Sequence, residues 1–137
     1  MTAAGYSGTP LPAKLGIRAG SRVLLDGVPD DVPLDGHRRP GREPYDVVLL
    51  FAPDAARLRS RWPALVPRLT TAGRLWVCWP KRASGVPTDL DDNVVRAYGL
   101  AHGRVDVKVC AIDATWSGLA FVRRIRDRGP GGSVENR

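Results

Sequence analysis

Three short, uninterrupted apolar runs constrain this chain more than anything else in it: "VLL" at 23–25, "VVLLF" at 47–51 and "LWVCW" at 75–79. A strand with one wet face alternates apolar and polar residues, whereas a strand covered on both faces reads as a continuous apolar run. Between the second and third runs, Leu58, Trp62, Leu65 and Leu69 recur at helical spacing behind Asp54, a good N-cap. Pro63 falls inside that pattern and predicts a kink, or a break into two short helices. Buried strands alternating with helices specify an α/β sandwich.

The other segments are read in the same way. Thr9-Pro10 reads as an N-cap followed by proline, opening a short helix through Leu11 and Leu15 that stops at Gly16. The stretch "GVPDDVPLDGHRRPGREPY" is too broken by Pro and Gly to be a regular element and reads as a long connector. Pro80 closes the third strand. Thr88 then predicts a helix start, with Asp91 completing a weak capping box. In that helix Leu90, Val94 and Tyr98 share a face, and Gly99 supplies a Schellman stop with Leu100 folding back onto Val95. In "VDVKVCAID" Val105, Val107, Val109 and Ala111 alternate with Asp106, Lys108 and Cys110, so one face is less buried. "WSGLAFVRRI" follows after too few residues for a crossover, so the last two strands are expected to be antiparallel neighbours.

The expected fold is a minimal Rossmann-like three-layer α/β sandwich, its mostly parallel five-stranded sheet carrying one antiparallel C-terminal strand. Residues 1–125 form one expected domain, and 126–137 have the composition of a disordered basic tail. Its removal is expected to leave the fold intact.

The net charge of +7 is concentrated in "GHRRPGREP" and "VRRIRDRG". Interleaving with Pro and Gly rather than aromatics, and the lack of a nucleic-acid-binding signature, favour solvated charge runs. No apolar stretch has the length of a membrane span, and "MTAAGYSG" does not read as a signal peptide; the expected location is the cytoplasm. Cys78 and Cys110 lie inside apolar runs and read as buried free thiols, without metal-ligand spacing. Neither a metal nor a cofactor is expected.

"KLGIRAGSRVLL", "YDVVLLF" and "LTTAGRLWVCWP" resemble segments of class I S-adenosylmethionine-dependent methyltransferases. That resemblance implies a last strand inserted between the third and the fourth. It does not extend to the family's cofactor loop: Asp26-Gly27-Val28-Pro29 stands where a glycine-rich loop belongs, and the ribose-holding acid has no counterpart. "GYSGTPLPAKLGI", "WPKRASGVPTDL", "GRVDVKVCAID" and "WSGLAFVRR" together resemble a bacterial domain-of-unknown-function family with a reduced methyltransferase-like fold, which implies no activity or catalytic residue.

In an open, mostly parallel sheet, ligands bind outside the carboxyl ends of the strands. The segments expected at that edge bring Lys81, Ser84, Thr88, Asp89, Asp113, Trp116 and Ser117 together as candidate ligand-binding residues. Lys81 beside the helix start at Thr88 suits an anion, and Trp116 could cover one face of it. Each has a plainer role as well: solvated lysine, turn serine, helix cap, Asx turn, core aromatic. No histidine is placed beside Ser84 or Ser117 and no nucleophile elbow occurs, so the reading leans away from an enzyme. The preferred function is a noncatalytic module binding a small anionic ligand or a protein partner. The alternative is a diverged group-transfer enzyme, and the third option an accessory nucleic-acid binder.

Overall fold

The computed structural model describes residues 10–124. A one-turn helix α1 (Leu11–Lys14) leads into β1 (Val23–Asp26); β2 (Tyr45–Phe51) is followed by α2 (Ala55–Leu65). Then come β3 (Leu69–Pro80), α3 (Asp92–Ala101), β4 (Arg104–Ala111) and β5 (Trp116–Arg123). The five strands form one sheet in the order β1-β2-β3-β5-β4, so the last strand inserts between the third and fourth. The β1–β2 and β2–β3 pairs are parallel, and β5 runs antiparallel to both its neighbours. This is the expected α/β architecture. Among the described residues no helix is long and apolar enough to cross a membrane.

The apolar runs become strands because each side of the sheet is covered. On one face Leu24, Val48, Leu50, Leu75, Val77 and Phe121 pack against Leu58, Trp62, Leu65 and Val95 of α2 and α3. On the other, Leu25, Leu49, Phe51, Trp76 and Cys78 pack against Leu15, Val28, Val32 and Leu34. That second cover is thin, made of α1 and the apolar residues of the long connector. Trp76 pins α1 by donating its Nε1–H to the Leu15 carbonyl (2.9 Å), and Gly16 turns the chain away with φ +82°. The connector also runs along the outer edge of β1, where His37 exchanges backbone hydrogen bonds with Val23 and Leu25.

Several local expectations need correction. Pro63 does not break α2, which runs through it to Leu65; the helix ends in a 3₁₀ turn, Val66–Arg68, containing Pro67. Leu69 is therefore the first residue of β3, although it still packs with Leu58 and Trp62. α3 is capped by Asp91, whose Oδ1 accepts from Val94 N (2.8 Å), not by Thr88. The buried face of α3 is Val95 and Gly99, with Tyr98 partly covered, while Val94 and Leu100 are exposed. Gly99 lies inside the helix, and the left-handed stop is Gly103 (φ +87°). Thr9 and the tail expectation for 126–137 lie outside the described residues.

β4 departs from simple alternation because a bulge interrupts its pairing between Asp106 and Lys108. One extra residue shifts the phase of all that follows. Asp106 pairs with Phe121 on the helix-covered face, but Lys108 and Cys110 pair with Ala120 and Gly118 on the other. Val107 and Val109 are thereby left exposed, and Cys110 is buried.

The same register settles the cysteines. Gly118 pairs with Cys78 on one side and Cys110 on the other, so the thiols sit two strands apart, and both are free. Two strand spacings are about 9–10 Å, beyond the reach of a disulfide. Burial pushes both thiols above their ordinary pKa, Cys78 most strongly, with Cys110 nearby adding to the effect on Cys78. The native state therefore holds the Cys78 proton more tightly than the unfolded chain does. Its contribution is fully present below the ordinary thiol pKa and is lost as pH rises above it. Stability should fall by up to about 1.4 kcal/mol per pH unit above roughly 8.5. Cys78→Ala should flatten that alkaline slope in urea titrations. Thiol counting after denaturation without reductant should return two groups.

Candidate functional site

The loop after β3 is stitched to the β4–β5 turn. Lys81 N donates to the Thr115 carbonyl (2.7 Å), one residue beyond the Pro80–Trp116 pair. The turn is rigid in its own right: Asp113 Oδ1 accepts from Thr115 N (2.8 Å) and Trp116 N (2.7 Å), an Asx turn. The two segments thus share one edge, as expected from the sequence.

The loop is built from side chains that satisfy its backbone. Ser84 Oγ donates to the Lys81 carbonyl (2.6 Å) and accepts from Val86 N (3.2 Å), holding the single 3₁₀ turn Arg82–Ser84. Gly85 continues it at φ +77°, a conformation that costs glycine little. Thr88 Oγ1 accepts from Leu90 N (3.1 Å), and Asp89 Oδ1 accepts from Ala55 N (2.8 Å), the first amide of α2. Asp54 Oδ1 takes the Arg57 amide (2.9 Å). The N-termini of α2 and α3 therefore already hold carboxylates of this chain. The seat expected for an anion at a helix start on Thr88 is absent, because Thr88 is spent in its own turn and Asp91 caps α3. Asp and Thr both cap well, but Asp also brings the charge that a helix N-terminus attracts.

Three shallow depressions surround the loop. The first, about 350 Å³, is lined by Arg82, Thr88, Asp89 and Asp91 over the ring of Trp79. The second, about 410 Å³, lies between Lys81, Arg82, Asp91, Asn93, Val109 and Ser117. The third, about 360 Å³, is bounded by Lys14, Lys81 and Asp113. Arg82 lines both the first and the second, and Lys81 both the second and the third. Neither has an ion pair among the described residues, whereas Arg57, Arg61 and Arg96 are all paired.

Of the expected residues, Lys81, Thr88, Asp89, Asp113 and Ser117 line this edge. Ser84 serves the turn. Trp116 packs edge-on against Phe51 (ring centroids 5.3 Å, 81°) among the second core cluster, as a cover aromatic rather than a platform opposite Lys81. Sequence reasoning missed Arg82, Asn93, Val109 and Lys14. Arg82 could have been found as the second cation of the same loop. Lys14 reaches the edge only through tertiary packing, its carbonyl taking a hydrogen bond from Lys108 Nζ (2.8 Å).

The carboxyl ends of β1 and β2 lie on the same edge, and an adenosyl cofactor would need open backbone there. Asp26 ends β1 and is 9% exposed. It is clamped by Arg57 and, through Arg61 Nε and Nη2 at 2.9 and 2.8 Å, by Arg61. Arg57 Nε also donates to the Phe51 carbonyl (3.1 Å), and its Nη2 lies 2.8 Å from where a Cβ on Gly27 would stand. Two guanidinium groups crowd the carboxyl end of β1, one of them against Gly27. The residues present do not fit S-adenosylmethionine at this place.

Neither a family model nor a curated protein matches the chain. Among solved structures it is similar to the N-methyltransferase NodS from Bradyrhizobium japonicum WM9, at 15% identity and a TM-score of 0.41. The similarity covers 61% of this chain and 53% of that one, so the chain spans about half the length of the structure it matches.

Proposed function

We propose that the protein is a noncatalytic α/β module that binds a small ligand at the edge formed by residues 80–91 and 113–117, using Lys81 and Arg82 to hold an anionic group. The supporting observation is a pair of cations without an ion pair among the described residues, shared between three adjoining depressions, while the nearby carboxylates of Asp89, Asp91 and Asp113 cap a helix or close a turn. The ligand's remainder would lie over Trp79 and Val109, with Asn93 and Ser117 offering hydrogen bonds. Among the described residues no nucleophile–base pair accompanies this arrangement, which favours binding over group transfer.

The test is an NMR titration with inorganic phosphate as the probe. Amides of Lys81, Arg82, Asn93 and Ser117 should shift in the native protein and stay still in Lys81→Ala/Arg82→Ala. The double variant should keep its stability within about 0.5 kcal/mol, as a surface change does. Shifts at those amides that persist unchanged in the variant, or no shifts there at all, would sink the reading. Calorimetric titration with S-adenosylmethionine should give no binding heat; saturable heat would reinstate group transfer.

A further inference from the structure

The long connector carries an arginine run, Arg38, Arg39 and Arg42, and the fold gives that run a fixed place. Tyr45, fully buried at the start of β2, accepts the Gly41 amide at its hydroxyl (2.9 Å). Arg68, just before β3, donates to the Gly41 carbonyl (3.1 Å). Arg22 lies over the Tyr45 ring, 4.6 Å from its centroid, and donates to the Pro44 and Glu43 carbonyls (3.0 and 3.2 Å). His37 holds the start of the segment against β1. A stretch whose Pro and Gly make it read as a freely solvated loop is thus tied down through its backbone. The side chains of Arg38, Arg39 and Arg42 are left exposed, with no hydrogen bond or ion pair among the described residues. Between residues 37 and 45 the only acid is Glu43, and Asp46 already accepts the Arg22 amide (2.8 Å).

Charge of one sign on a fixed backbone concentrates anions around it, and an arginine fork fits a pair of phosphate oxygens. One phosphate engages one fork; several exposed forks in a row suit a partner with many phosphates. Nucleic acids and anionic membranes both present them. Firm membrane attachment pairs a basic patch with an apolar anchor, and no large apolar side chain of residues 36–46 is exposed. Single strands are held by stacking bases on aromatic rings. The ring at the centre of this segment, Tyr45, is buried beneath Arg22, and His37 meets it edge-on (5.5 Å). The backbone of a duplex needs neither device.

We infer that Arg38, Arg39 and Arg42, with Arg22 and Arg68 at their base, form a docking surface for the phosphate backbone of a nucleic-acid duplex, without readout of its bases. The surface lies at the amino ends of β1, β2 and β3, whereas Lys81 and Arg82 follow the carboxyl end of β3. Either proposal can therefore fail alone.

The experiment is fluorescence anisotropy of the full chain on labelled random-sequence DNA and RNA duplexes. With one phosphate neutralised by each of the three exposed arginines, affinity for the DNA duplex should fall about 40-fold between about 50 and 200 mM salt. Arg38→Gln/Arg39→Gln/Arg42→Gln should bind at least about 10-fold more weakly at the lower salt and lose most of that salt dependence. The triple lysine variant, which keeps the charge without the fork, should retain the salt dependence. In the native chain the amides of Gly41 and Arg42 should shift when duplex is added. Binding to one duplex alone supports the inference and names the polymer. It is overturned by undetectable binding to both duplexes at the lower salt, or by binding undiminished in the glutamine variant. Tighter binding to single strands or to phosphatidylserine vesicles overturns it as well.

Discussion

Gly99→Ala should destabilise the protein by about 3 kcal/mol, although the same exchange in an exposed helix interior would stabilise it by about 1 kcal/mol. The reversal comes from packing. α3 lies so close to β5 that a Cβ at position 99 would overlap the Phe121 ring, with Cδ1 and Cζ each 2.6 Å away. Phe121 cannot yield easily: it is fully buried and meets Trp62 edge-on at 5.4 Å. Either the helix moves off the sheet or the ring leaves its rotamer, and both loosen the Trp62–Tyr98–Phe121 cluster. Urea midpoints measure the effect, and Phe121→Leu should recover part of it when combined with Gly99→Ala. A single variant as stable as the native protein would mean that α3 does not approach β5 this closely.

Asp26→Ala should cost about 2–3 kcal/mol. Removing one partner from a buried ion pair costs about 3–5 kcal/mol because it strands the other charge. The figure is reduced here because Arg57 and Arg61 keep roughly a third of their side chains in water. The stranded groups are two guanidiniums against the ends of β1 and β2, one of them still tied to the Phe51 carbonyl. Adding Arg57→Met and Arg61→Met should restore most of the loss, since apolar side chains then fill the space without charge. Equal stability of Asp26→Ala and the native chain would show that the clamp contributes nothing. A triple variant no better than the single one would place the cost elsewhere than in stranded charge. Gain of S-adenosylmethionine binding by the triple variant would show that the clamp alone was excluding it.

The legible parts of the candidate site were those fixed by chain connectivity. The loop after β3 and the turn after β4 had to meet because β5 returns antiparallel beside β3, and the Lys81–Thr115 hydrogen bond is that meeting. What Asp89 does was not legible. It lies beside the helix start that follows it in sequence, yet it caps α2 across 34 positions. The roles of Arg57 and Arg61 were not legible for the same reason: their partner, Asp26, comes from a strand 31 and 35 positions away.

The sequence by itself determined the five strands, the neighbouring order of the first three and the antiparallel pairing of the last two. The insertion of the last strand between the third and the fourth was implied only by a family resemblance. Continuous apolar runs have few ways to leave water, and short connections leave few topologies. Tertiary structure alone decided which competing cap won at Asp91, where α3 stopped, and which way the side chains of β4 faced. Those outcomes turn on differences of about 1 kcal/mol between neighbouring residues of similar propensity. Contacts made elsewhere decide such contests: the Phe121 ring leaves room only for glycine at position 99, so that glycine continues the helix, and Gly103 ends it.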